Sequence, residues 1–214
     1  MGRELRVVDD LADAALDLFT QVQPRTVVLS GGSTPRALYE RLAQIDYPWR
    51  EVEFFFGDER CVPQTNEDSN LRMASEALLL KVPARVYAID GAFCDADHYE
   101  GALRRRFPEG PWFDFAIFGL GVDGHTASLF PGRPEVEELE RWAVKVPQAG
   151  QPPWLPRVTM TVPVLSAAKL GVFLVAGTDK REALRRLLDG EDIPAARLTP
   201  ERLIVLADPA AAGP

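Results

Sequence analysis

Five short apolar runs, each rich in β-branched or aromatic residues, restrict what this chain can fold into more than any other feature of its sequence. They are residues 26–29 (TVVL), 52–56 (VEFFF), 113–118 (FDFAIF), 170–176 (LGVFLVA) and 203–206 (LIVL). Near-continuous apolar runs of this length belong to strands buried on both faces. Between them apolar residues recur at helical spacing. Leu11, Ala15, Leu18 and Phe19 follow an N-cap at Asp9 or Asp10, and Leu38, Leu42 and Ile45 form a second stripe. Leu71, Ala74, Ala77 and Leu78, residues 96–107, and Ala183, Leu184 and Leu187 give three more. Shorter strands are expected at residues 4–8, 86–89, 143–146 and 157–161, and residues 131–156 read as connection and lid. Strands alternating with helices make a mainly parallel α/β sheet. At 214 residues the chain suits a single such domain, spanning 1–214, with a frayed tail at DPAAAGP.

A formal net charge of −8 argues against nucleic acid or an anionic membrane as the partner. It leaves room for a local positive field around a small anion. The opening MGRELRVVDD lacks the apolar core of a signal peptide, and no apolar run is long enough to span a bilayer, so a cytoplasmic protein is expected. The spacing of the two cysteines, Cys61 and Cys94, suggests neither a disulfide framework nor a zinc site. Cys61 reads as a packed small hydrophobe rather than an activated thiolate. With two histidines and no CxxC, metal ligands are in short supply, and no metal is expected. Of those histidines, His98 lies among Asp95, Asp97 and Glu100 on a solvated helix and is given no role.

The chemistry sits in loops that leave strands at their carboxyl ends, where open α/β sheets bind ligands. After the first run comes Ser30-Gly31-Gly32-Ser33-Thr34-Pro35, then a helix. Glycine lets backbone approach an anion, and the free N–H groups of a helix start point at it. Taken alone the motif is equally an ordinary strand-to-helix turn, and it matches neither a Walker A loop nor a nucleophile elbow. Gly57-Asp58-Glu59-Arg60 leaves the second run, and Lys180 opens the helix after Gly177-Thr178. A cation at a helix N-terminus opposes the helix dipole, and a bound phosphate is one reason for it to be there. Arg60, Lys180 and, less directly, Arg157 are therefore candidate phosphate partners.

After the third run, Gly119-Leu120-Gly121-Val122-Asp123-Gly124-His125 fits G-x-G-x-x-G, the dinucleotide fingerprint. Pro131-Gly132 interrupts the segment before a full helix forms, and Asp123 and His125 stand where a pyrophosphate would approach. The loop is better read as presenting an acid and an imidazole to one cavity, with His125 as general base and acid and Asp123 beside it. The backbone N–H groups of this glycine loop are candidate oxyanion donors.

Taken together, SGGSTP, GDER, GxGxDGHTASLFPG, RVTMTxPxL and GTDKR resemble the 6-phosphogluconolactonase family, within the superfamily shared with glucosamine-6-phosphate deaminase. The resemblance implies an α/β fold with a Rossmann-like, mainly parallel sheet and helices on both faces. It implies no cofactor, and hydrolysis of a sugar-phosphate lactone, 6-phospho-D-glucono-1,5-lactone, to 6-phosphogluconate in the oxidative pentose phosphate pathway. Carried over, Gly31, Gly32, Ser33 and Thr34 would cradle the phosphate, Arg60 and Lys180 would neutralise it, and Asp123 and His125 would hold the reacting end. Arg157 is a possible substrate contact. The deaminases carry a glutamate where this chain has Phe130 and a tyrosine where it has Arg60, and both departures favour the lactonase. The alternatives are a deaminase-like isomerase and a non-enzymatic sugar-phosphate sensor. No nucleic-acid or membrane partner is implied, and the assembly expected is a monomer or small homo-oligomer.

Overall fold

The structure is a computed structural model and describes residues 2–213. From the amino end, β1 (Arg3–Val7) leads to α1 (Leu11–Val22), β2 (Thr26–Leu29) to α2 (Ser33–Leu42), and β3 (Glu53–Phe56) to a short strand β4 (Asp58–Arg60). Next come α3 (Asn70–Ala74), running into one π turn, β5 (Arg85–Tyr87), α4 (Ala96–Arg106) and β6 (Phe113–Gly119). The chain finishes through β7 (Ala143–Val146), β8 (Arg157–Met160), α5 (Val162–Ser166), β9 (Ala168–Val175), α6 (Arg181–Asp189), β10 (Arg202–Ala207) and α7 (Pro209–Ala212).

Seven strands form one parallel sheet in the order β1-β10-β9-β6-β2-β3-β5. All four residues of β2 and of β3 are buried, as strands covered by helices on both faces must be. Phe54, Phe55 and Phe56 are each at most 1% exposed, and complete burial of such a side chain stabilises by roughly 1.5–3 kcal/mol. The helix stripes fall close to where the spacing predicts them, although α2 ends at Leu42 and leaves Ile45 half-buried beyond it. Asp10 caps α1 by accepting from the Ala12 and Asp13 amides, and Leu11, Ala15, Leu18 and Phe19 are buried.

The second sheet was not anticipated. β4, β8 and β7 form an antiparallel three-stranded sheet beside the main one, with Asp58 opposite Thr159, Glu59 opposite Val158 and Arg60 opposite Arg157. Residues 131–156 are thus part framework, since β7 is a strand of this sheet and Val146 and Ala149 pack on Phe130 in a small core of their own. The tail expected to fray is also ordered through Gly213, and Pro214 lies outside the described residues. Asp208 caps α7 by accepting from Ala211 N, and its carboxylate also accepts from Gly177 N.

Two buried tyrosines fix the ends of the central strands. Tyr39 donates to Ser30 O at 2.8 Å and accepts from Ser30 N at 2.9 Å, where β2 gives way to its glycine loop. Tyr99 does the same for Phe56 at the end of β3, at 2.8 and 3.0 Å. Burial pushes both phenols far up, so they remain neutral donors. The backbone therefore enters both loops from a rigid post.

Candidate active site

Strand order reverses between β6 and β2. From β2 the chain moves outward to β3, and from β6 it moves the other way to β9. The crevice at such a switch point, beyond the carboxyl ends, is where parallel α/β sheets hold ligands. A cleft of about 250 Å³ lies there. Its walls are the Ser30–Gly32 loop after β2, Asp58 and Arg60 of β4, Asn70, the Gly119–Gly121 turn with His125 and Ala127, Arg157 of β8, and Lys180 beyond β9.

At one end His125 Nδ1 lies 2.6 Å from Asp123 Oδ1, and the same oxygen accepts the His125 amide at 3.0 Å. Burial alone would raise the Asp123 carboxyl, but the hydrogen bonds and charge of His125 outweigh it and hold the group at about 2. The carboxylate is therefore ionised at neutral pH and fixes the proton on Nδ1, leaving Nε2 as the basic nitrogen. The loop is built to hold this ring. Gly121 donates to His125 O at 2.8 Å, and a Cβ on Gly121 would stand 2.0 Å from His125 Nδ1. Gly124 takes φ +88°, in the left-handed region that favours glycine. Phe130 packs against the imidazole with ring centroids 4.7 Å apart.

At the other end are the cations. Arg60 Nη1 donates to Asp68 O at 2.7 Å and to Asn70 Oδ1 at 2.6 Å. Asn70 Nδ2 in turn donates to Asp58 O. Buried Glu59 accepts from the amides of Arg60, Asn70 and Leu71, and so ties β4 to the start of α3. Burial raises the Glu59 carboxyl against the pull of those amides. Arg157 donates to Pro153 O at 3.0 Å, stands 3.9 Å from Asp58 and is only 5% exposed, and burial lowers its proton affinity. Arg60 Nε, Arg157 Nε and Ser30 Oγ are all buried with no hydrogen-bond partner among the described residues. Buried donors are seldom left unmatched, and three of them around one cleft suit a polyoxygen anion.

Most residues singled out from sequence meet here, namely Gly31, Gly32, Arg60, His125, Lys180 and Arg157, with Asp123 directly behind His125. Ser33 and Thr34 do not line the cleft, because they form the first turn of α2 behind the glycines. Lys180 opens the helix as expected, ending a short 3-10 turn, Thr178–Lys180, that runs directly into α6 and standing at the N-cap of that helix. Within the glycine loop, Gly121 N and Gly124 N are already engaged, by His125 O and Gly121 O, so neither of these two amides is free for an oxyanion.

Ser30 and Asp58 stand in the expected loops but carry no individual role in the sequence, and nothing there points to Asn70 or Gln151. Asp58 is bound by Ser128 Oγ at 2.5 Å, and Gln151 Nε2 donates to the second Asp123 oxygen at 3.4 Å. The proximity of Asn70 to Gly31 is extreme, because a Cβ on Gly31 would meet Asn70 Oδ1 at 1.9 Å. The glycine at this position thus serves its neighbour Asn70 as well as the anion expected there.

The cysteine reading is corrected. Cys61 and Cys94 form a disulfide, with Cα atoms 5.0 Å apart. The partners are 33 residues apart in sequence, but β3 and β5 are parallel neighbours and bring the segments that follow them together. Sequence spacing carries no trace of that pairing. Among the described residues no cluster of three or more metal-ligating side chains occurs, and no helix is long and apolar enough to cross a membrane.

Fold and site together define the class: a parallel α/β enzyme with a cation-lined cleft at the topological switch point, served by an Asp–His pair. Within that class, the chain belongs to the family described as glucosamine-6-phosphate isomerases/6-phosphogluconolactonase, whose model matches residues 4–206. It is 40% identical over 199 residues to a 6-phosphogluconolactonase of Synechocystis sp., covering 86% of this chain and 81% of that protein. Among solved structures it resembles the 6-phosphogluconolactonase of Leishmania guyanensis, with a TM-score of 0.88, 30% identity, and 99% and 98% of the two chains covered. The 6-phosphogluconolactonase of Thermotoga maritima superposes with a TM-score of 0.86 at 28% identity, covering 96% of this chain and 99% of that one.

Proposed function

We propose that this protein hydrolyses 6-phospho-D-glucono-1,5-lactone to 6-phosphogluconate, as the names of its relatives suggest, with His125 as general base and acid. The observation that carries the mechanism is the 2.6 Å bond from His125 Nδ1 to Asp123, on a ring that lines the same cleft as Arg60, Arg157 and Lys180. His125 Nε2 takes a proton from water as the water oxygen attacks the lactone carbonyl carbon. The tetrahedral intermediate then collapses, the bond from that carbon to the ring oxygen breaks, and Nε2 returns the proton to the departing oxygen. Asp123 stabilises the imidazolium formed between the two steps. General acid–base help of this kind is worth about 10²–10⁴-fold in rate.

The phosphate lies at the opposite end, on Gly31, Gly32, Arg60 and Lys180, with the α2 start that includes Ser33 and Thr34 behind it. Arg157, facing Arg60 across the β4–β8 ladder, adds a third cation there. The hydrolysis uses no metal or organic cofactor, and the protein works in the cytoplasm as a monomer or small homo-oligomer. Phe130 supports the lactonase over the deaminase, because a buried apolar ring packed against His125 stands where the deaminases carry their glutamate. Two measurements test this. His125→Asn should lose most lactone turnover while keeping affinity for 6-phosphogluconate within about twofold, and unchanged turnover would overturn the mechanism. Release of ammonia from glucosamine 6-phosphate would favour the isomerase instead.

A further inference from the structure

We infer that the Cys61–Cys94 disulfide is a positioning clamp for the phosphate-binding Arg60, so that its reduction weakens binding of the phosphorylated substrate without touching the chemistry at His125. The inference rests on the phosphate role proposed for Arg60. Cys61 directly follows Arg60, and its amide donates to Pro156 O at 2.9 Å, next to Arg157. Beyond it, Pro63 through Glu67 are all exposed, and Val62 is the one buried apolar residue between Cys61 and Asp68. A segment with so little buried surface has low local stability unless something else ties it down.

Arg72 Nη1 of α3 donates to Thr65 O at 2.8 Å, and at the Arg60 end of the segment the tie comes from the loop between β5 and α4. Its Gly91 lies flat on the Arg60–Val62 backbone, and a Cβ there would stand 2.4 Å from Arg60 O and 2.5 Å from Val62 O. Cys94 N closes the turn onto Asp90 O at 2.9 Å, Cys94 itself takes φ +53°, and Asp95 then caps α4. The disulfide joins this braced turn to the residue after Arg60. Among the described residues, the Arg60 side-chain bonds run only from Nη1 to Asp68 O and Asn70 Oδ1, and its buried Nε has no partner. Its aim into the cleft therefore depends on where its backbone is held.

Reduction is a two-electron exchange with a dithiol. One thiolate attacks a cysteine sulfur and breaks the S–S bond to give a mixed disulfide, and the second thiolate displaces the cysteine. The products are two cysteine thiols and the oxidised cyclic reagent. In a reducing compartment persistent structural disulfides are uncommon, and those present are more often redox-responsive.

The test compares the oxidised protein with protein reduced by dithiothreitol, in calorimetric titration with 6-phosphogluconate and with inorganic phosphate. Turnover of phosphorylated and unphosphorylated gluconolactone is followed in parallel. Reduction should weaken both titrations about five- to twentyfold, the scale of a loosened charge-assisted contact. It should raise KM for the phosphorylated lactone and leave kcat on both lactones within about twofold. Cys61→Ser/Cys94→Ser should match the reduced protein and ignore dithiothreitol. Gly91→Ala, which pushes on the Arg60 backbone with the disulfide intact, should weaken phosphate binding in the same direction. Equal affinities before and after reduction, a parallel loss of turnover on both lactones, or two free thiols in protein purified under air would each overturn the clamp. If neither lactone is turned over, the proposed activity fails, and the phosphate titration still decides the clamp by itself.

Discussion

A methyl group on Gly121 has nowhere to go. It would stand 2.0 Å from His125 Nδ1, and the ring is held on one side by Asp123 and on another by Phe130. Gly121→Ala should therefore leave a folded protein whose kcat falls at least about 10²-fold, the cost of an ångström-scale misplacement. Normal turnover by a folded Gly121→Ala variant would contradict the loop geometry. The Asp123–His125 pair also sets a pH dependence. Asp123 is held at about 2 in the folded protein, below its ordinary 3.8, so its stabilising contribution is complete above about pH 4. The contribution is lost as pH falls toward 2. Urea unfolding of the native protein and Asp123→Asn should thus differ most near neutrality and converge between pH 4 and 2. A difference independent of pH would show that the pair is not ionic.

Among the elements, Lys180 and Arg60 come from different strand ends, β9 and β4, and converge on one cleft. Lys180→Ala should raise KM for the phosphorylated lactone about tenfold or more and leave kcat nearly unchanged, since it removes binding shared by ground and transition states. An equal fall in kcat would place Lys180 in the chemistry instead. The disulfide has a separate consequence for the fold. Closing a loop of 33 residues restricts the unfolded chain by roughly 3–4 kcal/mol, so Cys61→Ser/Cys94→Ser should lower unfolding free energy by up to that amount in urea titration.

How far these elements were legible depends on the range of the interaction that makes them. β2, β3, β6, β9 and β10 were visible because burial on both faces writes an apolar run into the local sequence. β4 was not, because DER is charged and becomes a strand only by pairing with Arg157–Met160, about a hundred residues later. His125, Asp123, Arg60 and Lys180 were legible because each leaves a recognisable strand end. Asn70 and Asp58 were not, since their roles arise from contacts with Arg60, Gly31 and Ser128 that no spacing encodes.

On the scale of the whole molecule, a chain of formal charge −8 gathers Arg60, Arg157 and Lys180 around one cleft. On the proposed reading, the positive field that would meet a phosphate is therefore local, set in a chain of net negative charge. Added salt screens charges over about 8–10 Å and weakens a local cationic site. KM for the phosphorylated lactone should rise with ionic strength while that for the unphosphorylated lactone stays flat. The same division, one end of the cleft for charge and the other for chemistry, is tested most directly by initial rates of ring opening on the two lactones, corrected for spontaneous hydrolysis. A kcat/KM at least about 10²-fold higher for 6-phosphogluconolactone than for gluconolactone is the predicted result, from losing charge-assisted contacts to Arg60, Arg157 and Lys180. Equal values for the two would contradict it.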